Sequence, residues 1–449
     1  MPGKKLHKTV FEFALFLPLA GAATAIACLT PDSAARLGIE HPDAEFVKAA
    51  LHAHEPNPIP YTLRAPFACT NGMADRFECL NVDLVGHIPL NLIGAGSGSD
   101  SWGWTDPLDQ REYAIVGRSN GVAFIDVSDP GNIVYLGNLP RPAGVAATVW
   151  SDIKVYRDHA FMVADNAPGH GLLVFDLTRL RNVVNPPVEF THDAHFLGFQ
   201  EAHNIAINIE TGFAYAVGGE QCNGGLNMID IRQPKTPVSA GCFSQDGYTH
   251  DVQCVVYRGP DVEHRDREIC FASNQDTLTI VDVSDKSKPV QLSRTPYAQV
   301  GFTHQGWLTA DQRYFVMDDE TDETSFGFNT RTITMNVADL DAPTVAGFHF
   351  ADGQAIDHNQ YVLGDYTFQA NYQRGLRILR LDDPASGALS EVAFFDTWPA
   401  GNMNGFSGAW NVYPFFPSGN ILISDFNRGF FLVRPNMEQI DTLFRDGFE

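Results

Sequence analysis

Basic residues are scarce in this chain. Lys and Arg number 30 against 54 Asp and Glu, which gives a formal net charge of -24 over 449 residues. A phosphate backbone rewards clustered Lys and Arg, so nucleic acid is excluded as a partner class. An anionic membrane surface is disfavoured for the same reason. Past the N-terminal segment no apolar run is long enough to cross a membrane as a helix. Cysteine is limited to 7 residues, none in a CxxC pair, which argues against a thiolate zinc site. There is no GxSxG elbow, no HExxH, no phosphate loop and no dinucleotide fingerprint, so no motif assigns a reaction. Periodicity of 3.6 residues is also missing, which excludes a helical solenoid.

What is present is a folded composition: 44% hydrophobic residues, 39 Gly, 27 Pro and 32 Phe. The N-terminus reads as a targeting segment. Lys4, Lys5 and Lys8 precede an apolar stretch from Phe11 to Ala27, and Ala25-Ile26-Ala27 offers a small-x-small cleavage site. Residues 1–27 are therefore expected to be removed on export, to the cell envelope or the extracellular space. Cys28, directly after that site, leaves lipidation open as an alternative anchor. Export permits disulfides among the six later cysteines.

Short phrases recur along the chain. Gly121 to Asp129 (GVAFIDVSD) is echoed by Leu278 to Asp285 (LTIVDVSD), Gly171 to Leu177, Gly225 to Ile231, Thr332 to Leu340, Gly375 to Leu381 and Gly429 to Val433. A second short strand precedes each copy, as in Tyr113 to Gly117 and Glu268 to Ala272. Alternating β-branched and aromatic residues bounded by Gly, Pro and Asp mark these as strands. Seven units of about 50 residues, each with about four strands, predict an all-β, seven-bladed β-propeller. The last copy lacks an outer strand, and Asn81 to Ile88 (NVDLVGHI) looks like that strand displaced to the N-terminus. Joining it to the last blade would close the ring and remove the free sheet edges. The expected organisation is a leader at 1–27, a linker or cap at 28–80, the propeller at 81–435 and a tail at 436–449. A short helix is expected from Asp43 to His54, with His52 and His54 solvated.

The phrases IDVSDP (125–130), AHNIAIN (202–208), YTHDVQCVVY (248–257), FTHQGWLT (302–309) and FFDTWP (394–399) resemble the choice-of-anchor B family of bacterial exported proteins, built from LVIVD-type repeats. That resemblance implies the propeller and export. It implies no reaction.

Strand register also suggests disulfides. If His250 opposes Asn274 across a hairpin, then Cys254 opposes Cys270. Cys222 and Cys242 fall at one end of one blade, and Cys69 pairs with Cys79 by elimination.

Aligned units place one residue at the start of each innermost strand: Trp102, Ser151, His203, His250, His304, His358 and Trp410. His203, His250, His304 and His358 thus converge on one channel mouth from four consecutive blades. Neutral imidazole nitrogens suit Fe, Cu or Zn. The loops after the second strands lie at the same end and carry Asp165, His170, Glu220, Asn274, Asp276 and the run Asp318 to Glu323. Their carboxylates can orient the imidazoles or act as a general base. The acidic run also offers hard oxygen ligands for calcium, although its spacing is not that of an EF-hand. His192 and His195 are reserve ligands. Two other readings remain open: repeated histidines that fasten blades, as in WD-type propellers, and a metal-free binding site. Enzyme and non-enzymatic interaction module both stand, with a protein, glycan or small molecule bound at a propeller face.

Overall fold

The computed structural model describes residues 66–438 and residue 440. The leader, Cys28, the expected helix from Asp43 to His54 and the tail from 441 onward lie outside the described residues.

The strands form seven sheets arranged as the blades of a propeller, antiparallel except where Val188–Glu189 runs parallel to the outer strand of blade 1. Blade 1 runs outward through Gly98–Thr105, Glu112–Arg118, Gly121–Asp126 and Val134–Pro140. The inner strands of blades 2 to 7 are Ser151–Tyr156, Asn204–Asn208, Asp251–Val256, Thr303–Leu308, Gln360–Leu363 and Ala409–Tyr413. The expected closure is present. Val82–Ile88 pairs antiparallel with Gly429–Pro435 and becomes the fourth strand of blade 7. Chain ends so joined leave no open edge at the seam. Residues ahead of the expected propeller start also join a sheet: Phe77–Leu80 extends blade 6 beside Ala388–Phe395, with Met73–Ala74 outside it.

The core lies between blades, because alternate residues of each strand face opposite neighbours. Phe124 of blade 1 stacks on Phe175 of blade 2 at 4.5 Å, and Phe271 of blade 4 on Phe315 of blade 5 at 5.6 Å. All four are fully buried, and each contributes roughly 1.5–3 kcal/mol by leaving water. Outer strands approach the next blade closely. A Cβ added at Gly241 would run into the backbone of Lys286, and one at Gly347 into that of Ser386. The outer pairing of six blades is interrupted at an equivalent point, for instance between Ile280 and Val281 and between Thr334 and Met335. Such bulges strengthen the local twist that blades need.

Three disulfides join Cys69 to Cys79, Cys222 to Cys242 and Cys254 to Cys270. The register argument holds: Asp251 opposes Ser273 and Cys254 opposes Cys270. Three such bonds are characteristic of an oxidising, extracytoplasmic environment. No described helix is long and apolar enough to cross a membrane.

Candidate metal centre

The four column histidines stand side by side. Ring centroids are 4.5 Å apart for His203 and His250, 4.3 Å for His250 and His304, and 4.3 Å for His304 and His358. They form an arc around a cavity of about 10 Å³, roughly the space one water centre occupies. Trp150, Ser151, Asn204, Asn359 and Trp410 complete its lining. The site is sealed: the four imidazoles are between 0% and 4% exposed. Val149, Trp150, Ile356, Tyr372, Trp410 and Phe426 form an apolar cluster over it.

Each ring is oriented through Nδ1. His203 Nδ1 lies 3.0 Å from Asp165 Oδ2, and His304 Nδ1 lies 3.3 Å from Asp318 Oδ1. His250 Nδ1 donates to the His304 carbonyl at 2.8 Å, and His358 Nδ1 donates to the Trp410 carbonyl. A carbonyl oxygen only accepts, so Nδ1 carries the proton in His250 and His358, and Nε2 carries the lone pair. Burial, reinforced by the neighbouring imidazoles, holds His250, His304 and His358 well below the ordinary histidine range. These rings are therefore neutral and basic at Nε2, the form that binds metal.

His304, His358 and Glu320 form one close group of candidate ligand atoms, all within 4.8 Å of one another. His358 Nε2 lies 3.7 Å from Glu320 Oε1, and His304 Nε2 lies 3.9 Å from Glu320 Oε2. Two metal–ligand bonds of about 2.0–2.1 Å span at most about 4.2 Å, so both separations fit a shared ion. Tyr372 Oη donates to Glu320 Oε1 at 3.0 Å and fixes the carboxylate. His203 and His250 continue the arc outside that tight group. His250 Nε2 is buried and has no hydrogen-bond partner.

The acidic run is buried, not solvated. Asp318, Asp319, Glu320, Asp322 and Glu323 are each at most 2% exposed. Asp319 accepts from Tyr297 Oη and from the backbone of Gly301 and Phe302, so it fastens a loop. Arg331 pairs with Asp322. Burial pushes Asp322 up to about 8, and pushes Asp318, Glu323 and Asp357 well above the carboxylate range. The run lends Glu320 to the His group. Among the described residues, its other members do not gather into a close set of three ligand atoms on their own.

Other sequence candidates fall elsewhere. His195 sits in Ala194–Phe196, the outermost strand of blade 2, and bonds the His170 carbonyl at 2.9 Å. His192 packs on it at 5.3 Å. The connection to blade 3 doubles back to complete blade 2, which carries both reserve ligands away from the arc. Glu220 caps the Gln200 backbone and Asp276 pairs with Arg294. Trp102 is also displaced. In the inner strand of blade 1, Ser99 takes the column position beside Ser151, and Trp102 lies three residues further along the channel. Sequence reasoning passed over Asp357, Tyr372 and the ligand position of Glu320. Asp357 had a signal, since an acid stands there where Ala202, Thr249 and Thr303 precede the other histidines. A second close group, Asp261, His264 and Asp341, lies on the outer side, where His264 Nε2 bonds Asp341 at 2.9 Å.

The LVIVD repeat family matches this chain at residues 111–139 and 269–295, the second to fourth strands of blades 1 and 4. A comparison with curated proteins finds no match. Among solved structures, the chain is similar to Kuenenia stuttgartiensis hydrazine synthase, at 11% identity and a TM-score of 0.53, over 76% of this chain and 96% of that one. It is also similar to U3-55K, at 9% identity and a TM-score of 0.51, over 76% of this chain and 95% of that one. At these identities the likeness shows the propeller fold alone.

Proposed function

We propose that this is an exported LVIVD-repeat propeller of the choice-of-anchor B kind, with one divalent transition-metal ion held in its histidine arc. His304, His358 and Glu320 are the nearest ligands, with His250 and His203 completing the set from the adjoining blades. The observation that carries this reading is that all four Nδ1 atoms are committed to carboxylate or carbonyl oxygens. That is the arrangement by which proteins orient metal-binding imidazoles. Fastening histidines would each pair with a carboxylate of their own blade. Here one histidine of the four, His304, pairs with a carboxylate of its own blade, Asp318; Asp165 belongs to the blade before His203, and the other two acceptors are backbone carbonyls of the following blade.

Neutral nitrogen with one carboxylate suits Fe, Cu or Zn better than calcium. A positive ion would also sit beside buried carboxylates for which Arg331 is the bonded cation. The sealed cavity favours an ion that clamps four blades over one that turns over substrate. Thermal unfolding of the full chain with and without a strong chelator tests this. The melting temperature should fall on chelation and recover when metal is restored, since a ligand at 100 times its dissociation constant stabilises the native state by about 2.7 kcal/mol. An unchanged melting curve for protein that analysis shows to be metal-free throughout would leave the blade-fastening role in its place.

A further inference from the structure

Three residues beyond the histidine column, about 10 Å along each inner strand, a second ring of side chains faces a much wider space. This cavity has a volume of about 670 Å³, and Lys154 and Asp251 are among its lining residues. Its lining is not seven-fold. Blades 5, 6, 7 and 1 contribute Trp307, Tyr361, Tyr413 and Trp102, and Phe415 joins them. These rings meet edge to face: Trp102 with Tyr361 at 5.7 Å, Trp102 with Tyr413 at 5.1 Å and Trp307 with Tyr361 at 5.1 Å. The facing wall, from blades 2 to 4, has no aromatic ring and mixes Val155, Ile207 and Val252 with Lys154, Asn208 and Gln253. One aromatic face already holds a cation, since the Lys154 ammonium lies 4.8 Å from the Trp102 ring centroid.

At the inner end of the cavity carboxyl groups outnumber ammonium groups, and burial pushes Asp100 well above the carboxylate range and Asp251 up to about 7. Lys154 bonds Asp152 and lies 3.8 Å from Asp100, so two carboxyl groups already meet its charge. Asp251 is a third carboxyl. One of its oxygens accepts from the Val252 backbone, and the group lines the cavity. At the rim, Arg258 pairs with Glu210 at 2.8 Å and the two cancel. An anion would meet three carboxyl groups against one ammonium. A purely apolar ligand would leave Asp251 buried against hydrocarbon.

We infer that the wide cavity binds a small organic cation, an alkylated ammonium group seated against the aromatic wall with its charge toward Asp251. Aromatic faces attract such cations through their negative quadrupole. The net charge of -24 raises the local concentration of cations. This inference is independent of the metal at the opposite mouth.

The test is fluorescence titration of the full chain, whose cavity holds Trp102 and Trp307, with choline, its neutral isostere 3,3-dimethylbutan-1-ol, and glucose. Choline should change the emission and bind at least about tenfold more tightly than the isostere, with affinity weakened by salt. In Asp251→Asn, choline affinity should drop about tenfold while the isostere is unaffected. The choline-to-isostere ratio in the unmodified chain decides the matter even if that variant fails to fold. Equal binding of choline and the isostere, binding of glucose alone, or no response to any probe would each overturn the inference.

Discussion

At the scale of single residues, the second nitrogen of each arc imidazole decides what the first can do. Asp165 holds His203 from the neighbouring blade, and Asp165→Ala should leave the fold intact and lower metal affinity by about 10- to 100-fold. Metal titration of the variant beside the parent checks this, and an unchanged affinity would remove His203 from the ligand set. A second residue outside the site makes a pH prediction. His87, in the closing strand, is fully buried, stacks on Phe431 at 4.1 Å, and lies 3.0 Å through Nε2 from the Arg428 carbonyl. Burial pushes its pKa down to about 4; the carbonyl contact opposes the shift, and the Arg428 and Arg76 charges assist it. The unfolded chain therefore takes up this proton near pH 6.5 and the folded chain only near 4. Stability contributed by neutral His87 is complete above about 6.5 and is lost as pH falls toward 4, by at most about 3 kcal/mol. Denaturant melts across that range should show a shallower acid limb in His87→Gln, and identical limbs would contradict the assignment. The histidine column was legible from the repeats because duplication keeps position. Glu320 and Tyr372 were harder to place as partners because their approach depends on how far two blades close on each other.

Elements carry the next set of constraints. The Cys254–Cys270 bridge links the inner hairpin strands of blade 4, the blade that carries His250 and Asp251. Replacing both cysteines by Ala should cost about 2–4 kcal/mol of stability, measured by denaturant unfolding under non-reducing conditions. A loss below measurement error would mean that neighbouring blades alone hold this hairpin. The closing strand should be more costly to disturb. Leu84 has no exposed surface and packs with Val433, Phe431 and Ile421 in the blade 6–7 core. Leu84→Ala should destabilise by about 2–5 kcal/mol. A stability close to the parent's would show that ring closure does not limit unfolding. The pairing of Cys254 with Cys270 and the return of Val82–Ile88 to blade 7 were both readable, since each follows from strand order alone. The displacement of Trp102 was not. Blade 1 has Ser99 at that position and no histidine to fix the register, so its alignment slid by three positions and an aromatic wall residue looked like a member of the arc.

For the whole molecule, the ring of blades gives two unlike ends to one channel. One is sealed by tryptophans over neutral imidazoles and buried carboxyls. The other is wide, aromatic on one side and of mixed aliphatic and polar side chains on the other. The repeats predicted the ring and the histidine face. The asymmetric wide mouth escaped notice because it arises from one column read across all seven blades, in which Lys154, Ala206 and Gln253 interrupt the aromatics. The central claim is that the histidine arc holds a metal ion. The most direct measurement is elemental analysis of the full chain purified from its native compartment, with His304→Ala and His192→Ala prepared alongside. About one transition-metal ion per chain is expected in the parent and in His192→Ala, and almost none in His304→Ala. A metal-free parent, or metal fully retained in a folded His304→Ala, would contradict the account.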